Sequence, residues 1–183
     1  MDCLKVFRLL VLFFFSTQFY FGQLSNGLIL KYDFNGTLND QSGFGNNGIF
    51  NGTTFTTGAN GLPNNAAYFD GSTSVLLPNV SSIKPNLPIT VSFLVKVDDL
   101  SINRPIYHSD VYYNNYAGFW INIATTGQIY SHISAAGSGG GPTNRRTFAT
   151  NETISIGTWN RITVVINAYN DMDIYINCIK IFG

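Results

Sequence analysis

Leu30-Lys31-Tyr32-Asp33-Phe34-Asn35-Gly36-Thr37-Leu38-Asn39-Asp40-Gln41-Ser42-Gly43-Phe44-Gly45-Asn46-Asn47-Gly48 is the stretch from which the fold is read. Leu28, Leu30, Tyr32 and Phe34 alternate with Ile29, Lys31 and Asp33, a period of two that predicts a strand over residues 28–34 with the first set facing inward. Asn35-Gly36, Ser42-Gly43 and Asn46-Asn47-Gly48 then supply residues that accept positive φ, so the strand runs into turn after turn. A second landmark, Ala67-Tyr68-Phe69-Asp70-Gly71, marks a further strand that ends on a turn.

The same alternation continues outward. Strands are predicted over 48–56, interrupted at Asn51-Gly52, over 66–69 and over 75–77. Pro78, Pro85 and Pro88 make 78–88 a loop. Val91, Phe93, Val95 and Val97, set against Thr90, Ser92, Leu94 and Lys96, form the longest strand. A short strand over 106–108 is followed by a loop over 110–116 rich in Tyr and Asn. Strands over 118–124 and 129–133 pair as a hairpin through Thr125-Thr126-Gly127. Residues 135–146, with Gly139-Gly140-Gly141-Pro142, read as a long loop. Ile162, Val164 and Ile166 precede a turn at Asn170-Asp171, Ile174 and Ile176 follow it, and 178–182 begins another strand. No segment carries a helical period, so the class is all-β.

Only 11% of the 183 residues are charged and 15% are aromatic. Against a usual charged share of about 25%, solubility rests on Asn, Thr, Ser and Gly. Lys5 and Arg8, the apolar run 9–15 and the small Gly22 predict a signal peptide over 1–22 and a single domain over 23–183. Ser16-Thr17-Gln18 breaks the apolar run short of the ~20 residues that a spanning helix needs, so no membrane span is expected. The expected location is secreted or cell surface. Removing 1–22 takes away Lys5, Arg8 and Asp2, leaving eight basic and nine acidic side chains. The one basic pair, Arg145-Arg146, is too little for nucleic-acid binding. Cys178 is then the lone cysteine, so an internal disulfide is excluded and the core must hold the fold.

Residues 30–48, with Tyr68-Phe69-Asp70-Gly71, Pro88-Ile89-Thr90-Val91-Ser92-Phe93, Gly157-Thr158-Trp159 and Ile174-Tyr175-Ile176-Asn177, resemble the LamG-like domain of the concanavalin A-like lectin/glucanase superfamily. The resemblance implies a two-sheet antiparallel jelly-roll sandwich. It also implies that C-terminal strands are missing here, since such domains continue past the Tyr-Ile-Asn hairpin, and that the first strand presents an open edge. Leu94 stands where the family has Trp, and Cys178 where its hairpin has Gly, a position that wants positive φ.

Glycosidases share this superfamily, and their chemistry needs two carboxyl groups flanking the bond. The lone Glu152, read as lying in a loop, and Asp171 with Asp173 beside a hairpin turn do not supply that motif. His108 and His132 sit in no nucleophile context, so no enzyme is expected. Structural Ca2+ is the cofactor the family implies: Asp40 lies where LamG-like domains often hold an ion, and Asp70 precedes a similar turn. The competing role for both is to cap their own turns. Along 118–124, Trp120 and Asn122 share the face opposite Phe119, Ile121 and Ile123, and Tyr112, Tyr113 and Tyr116 extend it, a pattern suited to a sugar's apolar face and hydroxyls. A neighbouring loop covering Trp120 is the alternative. The reading is a carbohydrate-binding or adhesion module with a glycan or polysaccharide partner. Its alternatives are an accessory domain of a secreted glycoside hydrolase and a structural domain binding extracellular protein.

Overall fold

The computed structural model describes residues 26–109, 118–134 and 145–181. The predicted signal peptide, the 110–116 loop and most of the Gly-rich loop lie outside these residues. The described chain runs through β1 (Ile49–Asn51), β2 (Thr54–Thr56), β3 (Ala66–Tyr68), β4 (Ser74–Leu76), β5 (Ile89–Lys96) and β6 (Arg104–His108). It continues through β7 (Gly118–Ile123), β8 (Gln128–Ser134), β9 (Arg145–Thr153), β10 (Trp159–Ala168), β11 (Asp171–Ile176) and β12 (Ile179–Ile181). The one helical element among the described residues is a 3-10 turn, Ser81–Ile83, within the proline-rich loop.

Two four-stranded antiparallel sheets hold the core, one ordered β12-β11-β10-β5 and the other β6-β7-β8-β9. Alternation fixes which side of each strand faces in. On β10, Ile162, Val164 and Ile166 lie opposite Phe93, Val91 and Ile89 of β5 and opposite Ile176, Ile174 and Met172 of β11. They meet Phe119, Ile121, Ile123, Ile129 and Ile133 of the second sheet in one cluster. β-branched side chains suit this pleated interior because few of their rotamers are lost there. The remaining strands pair as two-stranded ribbons, β1 with β4 and β2 with β3. The architecture is thus the expected two-sheet antiparallel sandwich.

Three local expectations change. Residues 28–34 are not a strand: the Lys31 N–H donates to Asp40 Oδ1 at 3.0 Å, the Lys31 carbonyl accepts from the Gln41 N–H at 2.8 Å, and the Ile29 carbonyl accepts from Asn46 Nδ2 at 3.3 Å. Backbone groups answered by a turn need no ladder. Second, Arg145–Thr153, which the sequence reading divided between a loop end and an unassigned stretch, is the nine-residue strand β9, so Glu152 lies on a strand. Its Arg-Arg-Thr-Phe-Ala-Thr-Asn-Glu-Thr sequence buries only Thr150 fully, and such an edge strand has little apolar period to read. Third, the hairpin between β11 and β12 keeps the two-residue positive-φ turn, with Asn177 at φ +51° and Cys178 at φ +69°. The departure at Cys178 is therefore one of sequence, not of turn type, and an exposed Cys sits in a left-handed conformation that Gly would adopt without strain.

Candidate functional site

Asp40 organises the first of two polar clusters. Its Oδ1 accepts the N–H groups of Lys31 at 3.0 Å and Ser42 at 2.9 Å, and its Oδ2 accepts the Ser42 hydroxyl at 2.7 Å and the Asn46 N–H at 3.0 Å. Asn46, buried at 6% exposure, passes the network on by accepting from the Ser82 hydroxyl at 3.1 Å and, through its carbonyl, from Tyr32. Burial works against the charged carboxylate, but the donors from Ser42, Lys31 and Asn46 outweigh it and leave the Asp40 pKa below its ordinary value. The Tyr32 hydroxyl is pushed up to about 12, first by burial and then by the negative charge of Asp40.

These donors decide between the two roles considered for Asp40. Each oxygen already accepts two hydrogen bonds, so a cation would have to displace the donors that fold the turn, and the arrangement does not fit the expected calcium site. Asp70 caps its turn through one oxygen, its Oδ1 accepting from Ser72 N–H at 2.8 Å, Ser72 Oγ at 2.9 Å and Thr73 N–H at 3.1 Å. Both carboxylates cap their own turns. Asp40→Ala strands the three backbone N–H groups, and we expect it to lower stability by roughly 2 kcal/mol in urea unfolding. Because the folded pKa is depressed, this contribution is present above the ordinary carboxylate range and is lost as pH falls through the folded value. An Asp40→Ala chain as stable as the wild type would remove the organising role.

The second cluster is built by register across the β6-β7-β8-β9 sheet. His108 on β6 lies opposite Trp120 on β7, Trp120 opposite His132 on β8, and His132 opposite Thr147 on β9. One step along, Asn122 faces Tyr130, which faces Ala149. All alternate with the core residues Phe119, Ile121, Ile123, Ile129 and Ile133, so they share the sheet's other face.

The rings on this face stack. Trp120 and His132 lie 4.9 Å apart at 19°, Tyr130 and His132 6.1 Å apart at 18°, and His108 sits 6.3 Å from Trp120. His132 Nδ1 is 2.9 Å from the Thr147 hydroxyl, and His108 Nε2 is 3.2 Å from Asn122 Oδ1. That contact engages the amide oxygen of Asn122, and among the described residues its Nδ2 makes no hydrogen bond. Beside His132 on the same face, Ser134 is 6% exposed and its hydroxyl has no hydrogen-bond partner among the described residues. The His132 pKa is lowered to about 4, chiefly by burial and further by the positive charges of Arg145 and His108, so the ring is neutral near pH 7.

Of the expected sugar-binding residues, the structure brings Trp120 and Asn122 to one face, while Tyr112, Tyr113 and Tyr116 lie outside the described residues. Trp120 is only 7% exposed, so it is the floor of the cluster and not an open stacking platform. The reachable groups are the exposed His108 and the half-buried Asn122 and Tyr130. His108, Tyr130 and His132 were not expected there. The hairpin through Thr125-Thr126-Gly127 was the available signal, because its register sets Trp120 against His132. Asp173, one of the two acids beside the β10–β11 turn, pairs with Lys180 at 2.7 Å.

Comparison with known proteins places this fold. The binding domain of Paraclostridial Mosquitocidal Protein 1 superposes with a TM-score of 0.63 at 19% identity, covering 87% of this chain and 40% of that one. The binding domain of Botulinum neurotoxin DC does so at 0.54 and 18% in its complex with rat synaptotagmin II, covering 86% and 39%. In its complex with SialylT the values are 0.56, 17%, 86% and 39%. The chain therefore spans about 40% of the length of these structures. No curated protein matches the sequence. A family model described as the concanavalin A-like lectin/glucanases superfamily matches residues 69–182. With the two packed antiparallel sheets and the match running over more than half of its length, the chain belongs to the concanavalin A-like lectin/glucanase superfamily.

Proposed function

We propose that the chain is a non-catalytic carbohydrate-binding module whose sugar site is the outer face of the β6-β7-β8-β9 sheet. One observation carries this reading: the array His108, Trp120, His132, with Asn122 and Tyr130 beside it, puts rings and amide donors on a face turned away from the core. A plainly solvated sheet face is lined by small polar and charged residues. The Tyr130 ring meets the apolar face of a sugar, the Asn122 Nδ2 and His108 meet its hydroxyls, and the buried Trp120–His132 pair holds them in place. The neighbouring toxin binding domains, one in complex with SialylT and one with rat synaptotagmin II, support a binding role over a catalytic one. A single shallow face of this kind binds weakly, so its use depends on avidity or on attachment to a secreted enzyme. Secretion by a leader over 1–22 accords with that use.

Glycan-array binding followed by titration tests the site. Asn122→Ala and Tyr130→Ala are each expected to weaken the bound glycan about tenfold, as the loss of one hydrogen bond or ring contact of about 1.4 kcal/mol would, with unchanged melting temperature. Undiminished binding by both variants removes the site. A protein partner is the second reading, and the exposed Ile49–Leu76 cross-strand pair on the β1–β4 ribbon favours it. Absence of binding to every glycan would select it.

A further inference from the structure

We infer that the chain pairs with a second copy of itself through the free edge of β5. β5 ends its sheet, with β10 as its neighbour, and among the described residues no backbone hydrogen bond reaches its far side. In a strand, alternate residues direct their N–H and C=O groups to that side, so half of its eight residues offer them to a partner. The inner side chains tell the same story. Val91, Phe93 and Val95 pack on the core yet stay half-buried, whereas Ile162 and Val164, directly across from Phe93 and Val91, are 0% and 1% exposed.

The other edges of the two four-stranded sheets carry features that block such pairing. β6 contains Pro105 and a register shift, β9 pairs with β8 through another shift, and β12 is three residues long. β5 contains no proline, runs in unbroken register with β10 from Ile89 to Lys96, and carries a single charge, Lys96, at its end.

The occupant that fits is β5 itself. A two-fold axis at Phe93 sets Phe93 against Phe93, Val91 against Val95 and Ile89 against Val97, which continues the inner apolar face across both copies. On the outer face Ser92 meets Leu94, and Thr90 meets Lys96. No like charges face each other. An axis at Ser92 would set Pro88, which has no N–H, within the ladder, so the Phe93 register is the one retained.

Thr90 reads this register. It is exposed and, among the described residues, makes no side-chain hydrogen bond, so changes there leave the protomer intact. Sedimentation of the full chain over a concentration series is expected to show a reversible dimer. Thr90→Lys sets like charges opposite Lys96 twice per dimer and should weaken it roughly fivefold, while Thr90→Glu should tighten it by a similar factor, both effects shrinking in high salt. A monomer at every concentration overturns the inference. So does a dimer that both substitutions leave unchanged or shift in the same direction, which would point to another face or to an extended peptide as the occupant of the edge.

Discussion

Ile162→Ala is expected to destabilise the fold by about 3–4 kcal/mol, which for a chain of this size lowers the melting temperature by roughly 10 °C. Ile162 is 0% exposed and sits on β10 with Phe93 of β5 on one side and Ile176 of β11 on the other. Truncation removes three carbons from a place where both neighbouring strands are held in ladders, so the cavity cannot collapse, and the cavity adds to the lost transfer energy. Leu94→Ala is the control. Leu94 lies on the outer face of the same sheet at 45% exposure, and its loss is expected to cost less than about 0.5 kcal/mol. Urea unfolding of the two variants measures the difference. An Ile162→Ala loss below about 1 kcal/mol would mean that the two sheets are not packed as described.

Acidification is expected to cost roughly 3 kcal/mol between pH 6.5 and 4 through His132 alone. The native ring titrates at about 4 against an ordinary 6.5, so the unfolded chain binds the proton first. Stability from this group is full above pH 6.5, falls as pH drops toward 4 and levels off below it. None of the groups described around His132 carries a negative charge to hold its cation: Trp120 and His108 lie on one side, Tyr130 on its own strand, and Thr147 and Arg145 across on β9. Urea midpoints at a series of pH values check this, and His132→Gln should flatten the profile over that interval. An unchanged slope in the variant would remove the assignment. The Asp40 contribution is separable, because it disappears at lower pH than that of His132.

The same two clusters show what could be read from residues alone. The short strands were marked by the Gly, Asn and Pro at their ends, and β6 was read over its last three residues only. Strands β5, β7, β8, β10 and β11 announced themselves by alternation, because half-burial imprints a period of two on the sequence. β9 did not, since an edge strand with one fully buried residue carries little of that imprint. Residues 28–34 carried the imprint without the strand: Leu28, Leu30, Tyr32 and Phe34 are half-buried, but their backbone is answered by Asp40 and Asn46 and not by a neighbouring ladder. The pattern reports burial, and pairing is a separate matter.

By itself, the amino-acid sequence determined the all-β class and the two faces of β7, which follow from local alternation and turn residues, while the order of its short motifs carried the resemblance that implied the superfamily and its two-sheet sandwich. Only the tertiary structure decided that Trp120 is a floor, that His108, Tyr130 and His132 join it, and that Asp40 spends its lone pairs on its own turn. Those outcomes depend on cross-strand register and on contacts between residues far apart in the chain, such as His108 with Trp120 or Asn46 with Ser82. A hydrogen bond or a stacked ring is satisfied by whichever partner folding brings near, and that partner is set by the packing of the two sheets.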